Sequence, residues 1–119
     1  MTKTLYLIRH AHAEDGVGKP DKDRQLTPKG REQSAELARL MAERDYECDL
    51  ALLSPSKRTR ETFDFMNLST PTVEQDKLYN GGPEDYLEVL GGLDPELSDV
   101  MLIGHNPTCA MLAVMLSGE

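Results

Sequence analysis

Apolar residues along the chain come in two rhythms. Short continuous runs, Leu5-Tyr6-Leu7-Ile8, residues 50–54 (LALLS) and residues 100–104 (VMLIG), end abruptly in polar residues. That is the pattern of strands buried on both faces, and Leu5–Ile8 reads as one of them. Longer segments repeat their apolar positions at helical spacing. In residues 26–45, Ala35, Ala38, Met41 and Ala42 recur on one face with Leu37 and Leu40 beside them, behind Thr27 as N-cap and Pro28 in the first turn. Pro55–Met66 reads as a second helix, with Phe63 and Met66 among its apolar residues, and Pro83–Leu90 as a third, closed by Gly91-Gly92. Residues 71–79 hold a short further strand, and residues 106–118 a last, very apolar helix. Residues 11–25 are polar with Gly and Pro, hence a loop. Strands alternating with helices predict an α/β fold: a three-layer sandwich with a mainly parallel sheet and helices on both faces. No repeat, low-complexity tract or linker interrupts the 119 residues, so a single domain over 1–119 is expected.

That architecture gives the polar ends of the strands a meaning. In open α/β sheets, ligands bind beyond the carboxyl ends of the strands. Arg9-His10 ends the first strand, Ser54 with Arg58 shortly after it ends the second, and Gly104-His105 ends the last. Two arginines and two histidines are thereby aimed at one sheet edge, the setting for a small, highly charged anion, with phosphate the first candidate. Pro107 opens a helix just after His105, so its N–H groups and positive dipole end add to that field.

Each residue taken singly has a plainer alternative. His10 reads equally as a solvated loop histidine, Arg58 with Lys57 and Arg60 as a solvated basic helix face, and His105 as a satisfied core histidine. His12 has no independent support and reads as a bystander. His10 and His12 have no third ligand at a recognisable spacing, so no metal site is expected. The net charge of −8 and a pI near 4.8 argue against nucleic acid and anionic membranes as partners. No stretch is apolar enough to span a bilayer and no signal-peptide layout opens the chain, so a cytoplasmic location is expected. Cys48 and Cys109 read as reduced core thiols.

Four segments, LYLIRHAHAE, LTPKGREQSAELA, LLSPSKRTRETF and MLIGHNPT, resemble in order the signatures of the histidine phosphatase superfamily, also called phosphoglycerate mutase-like. The resemblance spans nearly the whole chain and is nearest to the small bacterial phosphohistidine phosphatases of SixA type. It implies a phosphatase acting through a transient phosphohistidine, with His10 as nucleophile and Arg9, Arg58 and His105 as both catalytic residues and the phosphate pocket. It implies no cofactor and no metal, the arginines taking the metal's place. Thr27 and Gly30 match scaffold positions. Chemistry agrees: phosphoryl transfer needs charge stabilised on three equatorial oxygens, and arginine offers a fixed fork of donors. His10 should attack as neutral imidazole, one ring nitrogen tied to a backbone carbonyl.

The chain departs from the family pattern in two places. Ester-hydrolysing branches place a glutamate acid soon after the third strand, where this chain has Tyr79 and Asn80. The nearest acids, Glu84 and Asp85, sit in the first turn of the next helix, where they read as dipole partners and only second as candidate acids. The usual C-terminal strand region is also lacking, so the apolar last helix or a sheet edge should be left open, and self-association is expected. Without an acid, the site suits a P–N bond, whose imidazole leaving group departs unaided. The expected substrate is therefore phosphohistidine on a protein. The alternatives are a small phosphomonoester or phosphosugar, and a catalytically weak module that binds a phosphorylated ligand.

Overall fold

In a computed structural model, which describes residues 3–118, strands and helices alternate along the chain. Strand β1 is Thr4–Arg9, followed by a 3₁₀ turn at Asp21–Asp23 and helix α1, Pro28–Glu43. Strand β2 is Leu50–Leu53, helix α2 Lys57–Met66 and strand β3 Thr72–Glu74. A second 3₁₀ turn, Asp76–Leu78, leads to helix α3, Pro83–Gly91, then strand β4, Asp99–Gly104, and helix α4, Thr108–Ser117. The strands form one sheet in the order β1-β4-β2-β3, and every neighbouring pair is parallel.

Alternation along the inner strands fills both faces. Ala51 and Leu53 of β2 and Met101 and Ile103 of β4 point to one side, onto Met41 of α1 and Phe63 and Met66 of α2. Leu52, Val100 and Leu102 point to the other, onto Tyr86 of α3 and Cys109 and Leu112 of α4. Continuous apolar runs are what a strand covered on both faces requires, and the expected three layers follow. Cys48 and Cys109 are free thiols packed against these two cores, and burial pushes each thiol up to about 11.

One expectation needs correction. Strand β1 is not fully buried: all of Leu5–Ile8 are only partly covered, because β1 is an edge strand paired on one side with β4. An apolar run marks a strand that touches core, and sheet order decides how much of it is covered. Helix α4 is left open on one side, as expected of the last helix. Cys109 and Leu112 face the core, whereas Met111, Val114, Met115 and Leu116 are about half exposed. Its apolarity is uniform around the axis, so the pattern carried no information about which side packs.

Helix starts follow local chemistry. Thr27 Oγ1 accepts the Gly30 N–H at 3.1 Å and caps α1. Ser56, rather than Pro55, caps α2 through Thr59 N–H. Gly30 is required by close approach: a Cβ there would run into the His12 carbonyl, which accepts the Thr27 N–H at 3.0 Å.

Candidate active site

The β-ladder sets the site's frame. Arg9 is in register with Gly104, the His10 N–H continues the ladder onto the Gly104 carbonyl at 3.0 Å, and Ser54 N–H reaches Ile103 O at 3.2 Å. The ends of β1, β4 and β2 are therefore level, and the side chains just beyond them share one opening. A cavity of about 670 Å³ there is lined by Arg9, His10, Arg58 and His105 together with Asp21, Arg24 and Tyr79.

His10 donates Nδ1–H to the Ala11 carbonyl at 2.8 Å, since a carbonyl only accepts. The neutral ring therefore keeps its lone pair on Nε2, and the expected tautomer lock is present. Ala11 is itself held: its N–H donates to Thr62 Oγ1 at 2.9 Å, and that hydroxyl donates to Arg58 O at 2.7 Å. Thr62 thus ties Ala11, and with it the His10 ring, to helix α2. Burial lowers the His10 pKa, the Ala11 hydrogen bond opposes that shift, and Arg58 and Arg9 lower it further. The ring is neutral at neutral pH.

His105 stands 5.3 Å from His10, ring centre to ring centre, edge to face. Its Nε2 meets Ser54 Oγ at 2.8 Å, and its Nδ1 is buried with no partner among the described residues. Burial, with Arg58 adding to it, takes its pKa down to about 4. The His105 N–H is anchored by the Tyr86 hydroxyl at 3.2 Å, which donates to Leu78 O at 3.0 Å. Gly104 makes room for that hydroxyl, because a Cβ there would lie 2.5 Å from it.

Arg58 is buried, so its neighbours Lys57, exposed, and Arg60, paired with Glu74, do not extend into one solvated basic face. Both terminal nitrogens of Arg58 are held by one residue: Nη1–H donates to Asp21 O at 2.8 Å and Nη2–H to Asp21 Oδ2 at 2.9 Å. Tyr79 Oη–H donates to the same Oδ2 at 2.6 Å, and Arg24 Nη1–H to Oδ1 at 3.2 Å. Arg9 is exposed at the cavity's edge. The α4 end contributes less than expected, because the Cys109 and Ala110 N–H groups are taken by His105 O and Asn106 Oδ1.

The remaining candidates lie elsewhere. Asp85 Oδ2 accepts the Gly82 N–H at 2.9 Å and caps α3, while Glu84 is exposed, and neither lines the cavity. His12 is exposed, with Nδ1 against Thr27 Oγ1 at 2.7 Å, so it belongs to the start of α1. Among the described residues, no group of three His, Cys, Asp or Glu side chains is close enough to hold a metal ion. Asp21, Arg24, Thr62 and Tyr86 were missed by sequence reasoning. Asp21 and Arg24 sit in a run, residues 21–25, where every residue is charged or polar. Tyr79 did carry a signal, its place where an acid was expected.

Comparison with known proteins agrees with this geometry. A family model for the histidine phosphatase superfamily (branch 1) matches residues 5–80. A crystal structure from Agrobacterium tumefaciens, provisionally named a phosphohistidine phosphatase, SixA, is 35% identical with a TM-score of 0.91, over 100% of this chain and 79% of that one. A structure from Nakamurella multipartitia, of the same provisional name, is 31% identical with a TM-score of 0.86, over 92% of this chain and 63% of that one. This chain therefore spans less than two thirds of the Nakamurella protein's length. An uncharacterized protein of Mycobacterium tuberculosis is 26% identical over 110 residues, 92% of this chain and 70% of its own length. With its parallel sheet, its paired arginines and histidines and these matches, the chain belongs to the histidine phosphatase superfamily, branch 1, as a phosphatase domain of SixA-like fold.

Proposed function

We propose that this chain removes phosphate from phosphohistidine on protein substrates, without a metal, through a phosphoryl group carried transiently on His10. The observation that carries this reading is the His10 ring, Nδ1–H fixed on Ala11 O, in a cavity whose one carboxylate among the described lining residues, Asp21, is held ionised. Tyr79, then Arg58 and Arg24, hold that carboxyl well below the usual carboxylate range. It has no proton to give a leaving group.

In the first step, the His10 Nε2 lone pair forms a bond to phosphorus. The substrate's P–N bond breaks, its electron pair returns to the leaving imidazole, and water supplies that ring's proton. Arg9, Arg58 and His105 face the three oxygens on which charge is spread. In the second step, water attacks the phosphoryl group, the His10 N–P bond breaks, and inorganic phosphate leaves. An imidazole with a pKa of about 6.5 departs readily, whereas an alkoxide needs a proton donor worth ~10²–10⁴-fold. The relatives provisionally named phosphohistidine phosphatases support the same substrate class.

The test is turnover of a phosphohistidine peptide, phosphoramidate, an aryl phosphate and an alkyl phosphate side by side, with trapping of labelled enzyme. Rate should fall in that order, and His10→Ala should abolish both turnover and acid-labile label. A rate independent of leaving-group pKa would reveal a hidden acid and favour the phosphomonoester reading. Label on His10→Ala would assign the wrong nucleophile.

A further inference from the structure

The cavity holds an anion before any substrate arrives. One Asp21 carboxylate receives donors from three places: Arg58 Nη2–H on α2, Arg24 Nη1–H in its own loop, and Tyr79 Oη–H after the second 3₁₀ turn. Asp21 O takes a fourth donor, Arg58 Nη1–H. Convergent guanidinium and hydroxyl donors are what a phosphoryl group uses as well. The remaining Arg58 nitrogen, Nε, is buried without a partner among the described residues, so the terminal nitrogens are the ones already engaged, both by Asp21.

Asp21 is tied to the site by polar contacts rather than by apolar packing. The Asp21–Asp23 turn buries no residue, and the Asp21 side chain is 48% exposed. Beside those four hydrogen bonds, the turn is tied by Lys22 Nζ, 4.7 Å over the Tyr79 ring. The turn itself contributes no side chain to either hydrophobic core.

We propose that Asp21 is a resident competitor for the phosphoryl seat and so a specificity-determining residue, displaced from Arg58, Arg24 and Tyr79 by a phosphoryl dianion but not by a singly charged anion. This deepens, and rests on, the function proposed above. A tethered carboxylate competes at high effective concentration. A free monoanion exchanges one charge for one and lacks the tether, whereas a phosphoryl group brings about −1.5 to −2 near neutral pH. Asp21 is ionised throughout the range in which phosphate is a dianion, so the competitor does not switch itself off.

Occupation of the seat by Asp21 lowers apparent ligand affinity by the fraction of molecules that are open. Binding of inorganic phosphate and of formate, measured by calorimetry on wild type, Asp21→Asn and Asp21→Ala, tests this without turnover. Thermal midpoints confirm that the variants fold. Phosphate should bind both variants about tenfold more tightly than wild type. Formate should compete with phosphate in the variants and leave wild type unaffected. Phosphate affinity unchanged or weakened in both folded variants would overturn the proposal and assign Asp21 to holding Arg58 in place. Failure of wild type and variants alike to bind phosphate would overturn the phosphatase reading, and this one with it.

Discussion

A histidine nucleophile works when one ring nitrogen is engaged and the other keeps its lone pair. In this chain the engagement is indirect: Thr62 holds Ala11, and Ala11 O holds His10 Nδ1. Thr62→Val keeps the side chain's volume and removes the hydroxyl. It should lower kcat by about ten- to a hundredfold, the scale of a misplaced reacting group. Phosphate affinity should change little, because no phosphate ligand is lost. Steady-state kinetics with a phosphate inhibition constant separates the two. The lowered His10 pKa also sets a pH dependence. In the proposed reaction protonated His10 cannot attack, so kcat/KM should fall on the acid side with a midpoint below His10's ordinary 6.5. A midpoint above 6.5 would contradict the buried, arginine-flanked setting.

At the scale of elements, α4 separates packing from apolarity. Leu112 is fully buried and Met115 is 50% exposed, although both sit in one uninterrupted apolar run. Leu112→Ala should destabilise by about 2–5 kcal/mol. Met115→Lys should stay within about 0.5 kcal/mol. Denaturant titration of both variants measures the contrast. If the exposed face supports the expected self-association, Met115→Lys should weaken it, as sedimentation of both proteins would show. Gly104 carries an element-level constraint of another kind. It gives Tyr86 room to bridge Leu78 O and the His105 N–H, so Gly104→Ala must displace either α3 or His105.

Across the whole molecule, the site makes stability depend on pH. The unfolded chain protonates His105 near 6.5, the folded one only near about 4. Between those values the unfolded state binds more protons, so stability should fall as pH drops from about 6.5 towards 4. The depressed Asp21 carboxyl continues the loss through the carboxylate range and below. Thermal midpoints from pH 7 to 4 should show the fall, and His105→Asn should flatten its upper part. Parallel topology is what lets one site govern this. It places the carboxyl ends of β1, β4 and β2 on one edge, so residues as far apart as His10, Arg58 and His105 share one cavity.

Strands, helices and their parallel arrangement were legible in the sequence, because hydrophobic period and capping chemistry act within a few residues. That Arg9, His10, Arg58 and His105 would meet in one cavity was legible too, since each lies at or shortly after a strand end that the sequence marks. Sheet order was not, because apolar runs are alike whether a strand lies at the centre or the edge. That order alone left β1 half covered. Nor was the buried side of α4, whose surface is apolar all round. Asp21, Arg24 and Tyr79 were gathered by tertiary structure. The Asp21 carboxylate, which accepts from Arg58, Arg24 and Tyr79, joins a polar loop to α2 and the segment before α3, and local pattern does not encode a contact between segments that far apart.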